Sequence, residues 1–163
     1  MEKTLKFVLK KPKLALLLKI ISHFAVLSSI AGYIYLMISA YLVSPYSALS
    51  VLLLTAIPFV FVTLLRKIIN APRPYELYGF YDTAPKSKRG ESFPSRHAFS
   101  AFSIGTLALW VSLPVGIALL SLAVALAVSR VLLGIHFIRD VLAGAVVGIA
   151  SSVIGNIIFT PFG

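Results

Sequence analysis

The sequence predicts an all-α membrane protein, a polytopic transmembrane helical bundle of about five spans plus an N-terminal interfacial helix. Of its 163 residues, 59% are hydrophobic and only 12% are charged, whereas soluble domains carry about 25% charged residues. Three long tracts contain no Asp, Glu, Lys or Arg, namely 20–65, 97–129 and 141–163. Because a helix needs about 20 apolar residues to cross a bilayer core, the lengths of these tracts predict the number of spans.

The first two tracts are each long enough for two spans separated by a proline-containing turn, and the third is long enough for one. The five predicted spans are about 22–43, 47–65, 97–111, 115–133 and 141–160, with turns at 44–46 and 112–114. Neither turn carries a charge, so all 15 Lys and Arg residues are predicted to lie on one face of the membrane. The whole chain, 1–163, is predicted to form a single membrane-embedded domain.

The first 19 residues contain six lysines, too many for a membrane span. We predict that 1–19 is an interfacial basic segment whose lysines contact anionic phospholipid headgroups. The net charge of +10 would suggest nucleic acid for a soluble protein, but in a membrane protein it indicates anionic headgroups or an anionic substrate. We therefore expect no nucleic-acid partner. The absence of cysteine excludes disulfides and thiolate metal sites.

Two arginines at the end of the second predicted span are spaced to bind an oxyanion. Arg66 and Arg73 are seven residues apart, about two turns if the helix continues. Pro72 and Pro74 are predicted to end the helix there. Two converging guanidinium groups suit a tetrahedral oxyanion, because each offers paired N–H donors.

The histidines near the later spans are spaced for catalysis. His136 and Asp140 are four residues apart, so on a helix the carboxylate can accept a hydrogen bond from one imidazole nitrogen and leave the other as a nucleophile. His97, at the start of a span, can protonate a leaving oxygen. The hydroxyls of Ser95 and Ser129 can donate to phosphate oxygens.

Together these residues resemble the type 2 phosphatidic acid phosphatase superfamily, membrane lipid phosphatases that share their active site with vanadium haloperoxidases. The family pattern is K-x6-R-P, then P-S-G-H, then S-R-x5-H-x3-D. The present sequence reads Arg66-x6-Arg73-Pro74, Pro94-Ser95-Arg96-His97 and Ser129-Arg130-x5-His136-x3-Asp140. The resemblance extends from about residue 50 to the C-terminus, and the third motif is complete.

The sequence departs from the family pattern at two positions. Arg66 stands where the family has lysine, and Lys67 is one residue out of register. Arg66 keeps its helical phase with Arg73, so we favour it as the phosphate ligand over Lys67. Arg96 replaces the glycine of the second motif, and we hypothesise that it contacts a second phosphate, which would suit a diphosphate substrate.

The resemblance implies an integral membrane enzyme that hydrolyses a phosphomonoester or diphosphate lipid through a phosphohistidine intermediate, without a metal or cofactor. The implied catalytic residues are His136 as nucleophile, His97 as acid and base, and Asp140 as the group that orients His136. The implied phosphate-binding residues are Arg66, Lys67, Arg73, Ser95, Arg96 and Arg130. Residues 66–96 are expected to form an active-site loop and cap, with tyrosines at headgroup level.

The expected substrate is a membrane-resident lipid, with a polyprenyl diphosphate such as undecaprenyl diphosphate favoured. Alternatives are phosphatidylglycerol phosphate, phosphatidic acid, or a lipid phosphotransferase or non-hydrolytic lipid-binding member of the same fold. A small scaffold or transporter is disfavoured because the charges lie at span ends rather than at mid-membrane. The charge bias predicts a multi-pass cell-membrane protein with its active-site face in the cytoplasm, whereas carrier-lipid recycling would place that face outside.

Overall fold

The computed structural model describes residues 1–80, 89–159 and 161–162, and within them it contains helices and no strand. This confirms the predicted all-α class. The part of the predicted cap at 81–88 lies outside the described residues. The helices are α1 (Glu2–Leu9), α2 (Pro12–Val43), α3 (Pro45–Ile69), α4 (Pro74–Leu77), α5 (Arg96–Val111), α6 (Leu113–Leu132) and α7 (Ile138–Phe159).

Four of these helices, α2, α3, α6 and α7, are long and apolar enough to cross a membrane. The remaining predicted span corresponds to α5, which has 16 residues and is therefore about 24 Å long. This is shorter than a bilayer core of about 30 Å. The structure thus supports a multi-pass protein, and the fifth span stays a prediction.

The N-terminal helix is shorter than the segment 1–19 that was predicted to be interfacial, and its interfacial position stays a prediction. The helix α1 ends at Leu9, and Pro12 opens α2, where the fixed backbone angle of proline favours a helix start. Residues 12–19 therefore belong to a 32-residue helix of about 48 Å, which is longer than the bilayer core. The helix α1 packs its buried Leu5 and Val8 inward, and Lys3 and Lys6 lie on its exposed side.

Single serines connect the helices of each hairpin. Ser44 ends α2 and caps α3, and its hydroxyl accepts a hydrogen bond from the amide of Ser47 at 3.0 Å. Pro45 follows it as the first residue of α3. Ser112 joins α5 to α6 in the same extended conformation. The turns predicted at 44–46 and 112–114 are therefore in the right places, but they are tighter than predicted because the prolines lie inside the next helix.

The helix α5 is the centre of the bundle and packs against α6 and α7. The close approach of α7 depends on two glycines one turn apart. Gly144 lies against the backbone of Ser95 and Phe99, and Gly148 lies against the backbone of Phe99 and Ser103. This agrees with the usual role of G-x-x-x-G in membrane helix packing. It brings the start of α7 beside the start of α5, where the motif residues lie.

Gly144→Ala is expected to destabilise the protein and reduce its activity. The added Cβ would meet the carbonyl oxygen of Ser95, a backbone atom that cannot rotate away. Overpacking of this kind costs about 1–3 kcal/mol, whereas alanine alone would favour a helix by about 1 kcal/mol over glycine. Thermal unfolding in detergent provides the measurement, with Val146→Ala on the exposed side of the same helix as the control. An unchanged or higher Tm for Gly144→Ala would contradict this packing.

Candidate active site

A polar cavity lies where the end of α3, the start of α5 and the segment between α6 and α7 meet. Its volume is about 240 Å³, and basic side chains dominate its lining. The lining residues are Arg66, Arg73, Arg96, His97, Arg130, Ile135 and His136. Four guanidinium groups around one small space favour an anion with several oxygens, because each group offers charged N–H donors.

Arg66 is held deep in this cavity near the end of α3. It is only 3% exposed, and its Nη1 donates to the carbonyl oxygen of Pro94 at 3.1 Å. Within the described part of the chain, Nε of Arg66 and Nε of Arg130 have no hydrogen-bond partner. A buried charged donor without a partner is costly, so these two groups are suited to a bound anion.

Arg73 does not lie on the same helix as Arg66, so the two-turn relation that a continuing helix would give does not apply. The helix α3 ends at Ile69, and Asn70 adopts a left-handed conformation after it. Arg73 instead precedes the short helix α4 and connects two loops. Its Nε donates to the carbonyl of Gly90 at 3.0 Å, and its Nη1 lies 3.5 Å from the carbonyl oxygen of Ile135. The two arginines therefore reach the same cavity from different elements.

Two predicted phosphate ligands lie outside the cavity lining. Lys67 is exposed, because one residue along a helix turns its side chain about 100° away from that of Arg66. Ser95 is fully buried, and its hydroxyl accepts from the amide of Ala98 at 3.4 Å as the cap of α5. The hydroxyl of Ser129 is also engaged, since it donates to the carbonyl of Ala125 within α6 at 2.8 Å.

A tight loop after α6 positions His136. The carbonyl oxygen of Arg130 accepts hydrogen bonds from the amides of Ile135 and His136, at 3.0 and 3.3 Å. Gly134 makes this reversal possible with a φ of 69°, a conformation that side-chain-bearing residues rarely adopt. Its carbonyl accepts the amide of Tyr75 at 3.2 Å. The loop therefore ties the end of α6 to α4 and presents His136 to the cavity.

Asp140 lies behind His136, although the two residues do not share a helix as predicted. His136 precedes α7, and Asp140 lies in the first turn of α7. The Oδ2 atom of Asp140 is 3.6 Å from Nδ1 of His136 and accepts from the amide of Phe137 at 2.9 Å. Both side chains are buried. The carboxylate therefore stabilises the loop and also faces one nitrogen of the imidazole ring, so that the other nitrogen, Nε2, is the one available for chemistry.

Ser92 completes this arrangement, and the sequence analysis missed it. Its hydroxyl donates a hydrogen bond to Oδ2 of Asp140 and lies 3.4 Å from Nδ1 of His136. Its amide donates to the carbonyl of Ala71 at 2.8 Å. Glu76 was missed as well, and its carboxylate accepts the amide of Gly90 at 2.7 Å. These contacts join segments far apart in sequence, so no local pattern indicates them.

Ser92→Ala is expected to lower kcat by about 10- to 100-fold, the usual effect of losing a hydrogen bond to a charged group. The KM should change little, because Ser92 touches Asp140 and not the cavity. Steady-state kinetics on a lipid phosphate provides the measurement. Ser152→Ala is the matched control, since that buried serine donates to Ser103 elsewhere in the bundle. Equal kcat values for Ser92→Ala and Ser152→Ala would contradict a role for Ser92 in positioning the Asp140–His136 pair.

The pKa of His136 is lowered, chiefly because burial penalises the charged imidazolium, while Asp140 opposes the shift. His136 is therefore neutral at pH values above the ordinary imidazole pKa of about 6.5. A neutral ring is what a nucleophile requires. We expect kcat/KM to stay on its plateau down to about pH 6.5 and to fall only below it.

A pH profile of Asp140→Asn tests the assignment. Because Asp140 raises the pKa of His136, its removal should shift the acid limb of the profile to lower pH while the maximum rate falls. The ionisation of the substrate contributes equally to the profiles of the wild type and of Asp140→Asn. The difference between the two profiles therefore comes from the ionisation of enzyme groups. A shift of the limb to higher pH would contradict the assignment.

His97 and Arg96 form a wall between the polar cavity and an apolar one. The apolar cavity has a volume of about 420 Å³ and includes Val26, Ile30 and Leu126 in its lining. A further cavity of about 230 Å³ adjoins it around Tyr33, Phe59, Ser100 and Ile104, which line both. The polar cavity is therefore adjacent to an apolar region between α2, α3, α5 and α6. No group of three His, Cys, Asp or Glu side chains that could hold a metal ion occurs among the described residues.

The sequence profile of the PAP2 superfamily matches residues 47–161, a range that contains every residue lining the polar cavity. The chain belongs to the PAP2 superfamily. This confirms the membership predicted from the three motifs. It places the protein among membrane lipid phosphatases, with a lipid as its class of substrate.

Solved structures of PAP2 proteins share this fold. The chain is 30% identical to LpxE from Aquifex aeolicus, with a TM-score of 0.68 over 86% of this chain and 85% of that chain. The first transmembrane PAP2 type phosphatidylglycerolphosphate phosphatase from Bacillus subtilis has a TM-score of 0.74, and the alignment covers 99% of this chain and 85% of that chain. Its sequence identity is 24%, so this likeness shows the fold alone.

A curated relative matches a shorter region. The bacitracin transport permease protein BcrC of Bacillus licheniformis is 43% identical over 61 residues, which is 37% of this chain and 30% of that protein. The match therefore spans less than a third of the length of that relative.

Proposed function

We propose that this PAP2 protein hydrolyses a lipid phosphate through a phosphohistidine on His136, without a metal, and that its favoured substrate is a polyprenyl diphosphate. The observation that carries the proposal is the polar cavity itself, in which four arginines and two histidines adjoin an apolar region inside the bundle. A phosphorylated lipid has the same division into an anionic head and an apolar tail. A single isoprenoid chain suits an apolar cavity of about 420 Å³ better than two acyl chains do.

In the first step, Nε2 of His136 attacks the terminal phosphorus, and the bond from this phosphorus to the leaving oxygen breaks, which in a diphosphate is the bridging oxygen between the two phosphates. His97, whose protonated form is favoured by the negative charge of the bound phosphate beside it, donates a proton to the departing oxygen, and Asp140 stabilises the positive charge that develops on His136. Arg66, Arg73 and Arg130 bind the phosphoryl oxygens, whose negative charge is redistributed in the transition state. The products of this step are phosphohistidine and the leaving group, which is a lipid monophosphate from a diphosphate substrate and a lipid alcohol from a monophosphate substrate.

In the second step, water attacks the phosphohistidine, and the bond from phosphorus to Nε2 breaks. His97, which has lost its proton, accepts one from this water. Inorganic phosphate leaves, and both histidines return to their starting states. The position of His97 between the two cavities supports this role, because the leaving oxygen lies where the anionic head of the substrate meets its lipid part.

Phosphate release from a panel of lipids in detergent, with EDTA present, tests the proposal. The panel contains a polyprenyl diphosphate, phosphatidylglycerol phosphate and phosphatidic acid. Fastest release from the polyprenyl diphosphate, unaffected by EDTA, is expected. Faster release from either phospholipid would make that phospholipid the favoured substrate in place of the polyprenyl diphosphate. Loss of phosphate release in EDTA would overturn metal independence.

A lipid phosphotransferase is the second candidate, and it shares the same first step. Running the reaction in ¹⁸O-labelled water distinguishes the two, because hydrolysis of phosphohistidine places one ¹⁸O atom in the released phosphate. Phosphate transferred to another lipid carries none. Lipid binding without turnover would indicate the non-hydrolytic alternative.

We also propose that the active-site face lies in the cytoplasm, on the basis of the lysine-rich N-terminal segment at the same end of the bundle as the site. A reporter fused to the C-terminus tests this, because α7 begins at the active-site end and runs away from it. A periplasmic or extracellular reporter is expected. A cytoplasmic C-terminus would place the active site outside.

A further inference from the structure

Arg96 differs from the other three arginines of the polar cavity in its position. It is the first residue of α5 and lines both the polar cavity and the 420 Å³ apolar cavity. Arg66, Arg73 and Arg130 line the polar cavity and are not part of the apolar lining. Arg96 is therefore a cation at the boundary between the two cavities.

The contacts of Arg96 suit a group that is still attached to the lipid. Its guanidinium carbon lies 5.9 Å from the ring centroid of Phe59, a residue of both apolar cavities. His97, the next residue, lines the same boundary. If His97 protonates the leaving oxygen, the atom that carries this oxygen lies on the apolar side, next to Arg96.

The chemistry of the leaving group decides whether a cation is useful there. In a lipid monophosphate the leaving oxygen is bonded to carbon, so no second phosphate lies on its lipid side for a guanidinium group to bind. In a lipid diphosphate the leaving oxygen is bonded to a second phosphate, which is anionic before and after the reaction. Arg96 can then bind this phosphate with charged N–H donors.

The charges of the site agree with a diphosphate. The described lining of the cavity has four arginines and no acidic side chain. A monophosphate ester carries a charge of about −2 near neutral pH, and a diphosphate ester carries about one more negative charge. The fourth arginine therefore matches the second phosphate.

We propose that Arg96 binds the lipid-attached phosphate of a diphosphate substrate and so makes the enzyme prefer lipid diphosphates over monophosphates with the same tail. This inference rests on the proposed phosphatase function and refines its substrate. The reaction breaks the bridging P–O bond, adds one water and yields the lipid monophosphate and inorganic phosphate. The monophosphate product is a poorer substrate, because it no longer places a phosphate beside Arg96.

Matched prenyl substrates test the inference. The values of kcat/KM are measured for farnesyl diphosphate and farnesyl phosphate with the wild type, Arg96→Gln and Arg96→Lys. Arg96→Gln should lose about 10- to 100-fold on the diphosphate without a comparable loss on the monophosphate. Arg96→Lys, which keeps the charge, should retain most of the preference. Lys19→Gln removes an exposed charge away from the cavity and serves as the control.

The ratio of the two substrates within each variant cancels any loss of folded protein, so a poorly folding variant is still informative. Equal losses on both substrates would show that Arg96 acts on the transferred phosphoryl group, and this would overturn the inference. Unchanged rates on both would overturn it as well. In either case the phosphatase function would stand. A wild type that hydrolyses neither substrate, nor any lipid of the panel above, would instead overturn the proposed function, and the inference would fall with it.

Discussion

Replacing His136 with alanine is expected to reduce phosphate release from a lipid substrate by on the order of 10⁴-fold, because the reaction loses its nucleophile. His136 is 1% exposed, and it lines the cavity together with Arg73 and Arg130. Its ring is held by the reversal of the loop at Gly134 and by the carboxylate of Asp140. Nothing else in the cavity lining offers a neutral nitrogen backed by a carboxylate, within the residues that the structure describes.

The matched control is His23→Ala, which removes an exposed histidine of α2. The ring of His23 contacts the carbonyl of Lys19 in its own helix, so its loss should leave phosphate release unchanged. Inorganic phosphate should still compete for the site in His136→Ala, because the arginines remain. This separates a missing nucleophile from a collapsed cavity.

Trapping the intermediate distinguishes covalent catalysis from direct attack by water. A substrate with a ³²P-labelled terminal phosphate should label the wild-type protein on rapid quenching in alkali, where a P–N bond survives, and the label should be lost in acid. His136→Ala should not become labelled. Residual activity above about a tenth of the wild-type value in His136→Ala would exclude His136 as the nucleophile, since loss of such a group costs far more.

The distribution of charge along the sequence predicts where the long helices lie, but it does not predict the residues at which they begin and end. The charge-free tracts located the long helices because a bilayer excludes unpaired charges. However, charge marks the end of the apolar core and not the end of the helix. The helix α3 continues to Ile69, past the predicted end at 65, because Arg66 extends into the polar cavity. Similarly, α7 begins at Ile138 instead of 141, since Asp140 accepts the amide of Phe137 at the helix start.

The sequence motifs predicted which arginines line the polar cavity. They did not predict the residues that join the site through contacts between distant segments. Arg66, Arg73 and Arg130 were all expected to bind phosphate, and the structure brings all three to one cavity. Ser92 and Asp140 are 48 residues apart in sequence, so their hydrogen bond depends on how α7 packs on α5. The wall that His97 and Arg96 form between the two cavities likewise depends on helix packing, and the spacing of residues in the sequence does not predict it.

His97→Gln is expected to slow turnover of a lipid monophosphate, such as phosphatidic acid, by about 10²- to 10⁴-fold, the usual contribution of a general acid and base. The loss should depend on the leaving group. An alkoxide leaves poorly without a proton, whereas nitrophenolate is a stable anion that leaves without one. With p-nitrophenyl phosphate, His97→Gln should therefore form phosphohistidine at close to the wild-type rate.

The second step should then become limiting, because the water that attacks phosphohistidine also relies on His97. Rapid mixing of His97→Gln with p-nitrophenyl phosphate should show a burst of nitrophenol equal to the enzyme concentration, followed by a slow steady state. The ³²P label should accumulate on His136 in this variant when labelled substrate is supplied. Equal losses on the lipid and the nitrophenyl substrate, without a burst, would show that His97 binds phosphate and does not transfer protons. The position of His97 in both cavity linings favours the burst, since the proton must reach the oxygen where head and tail meet.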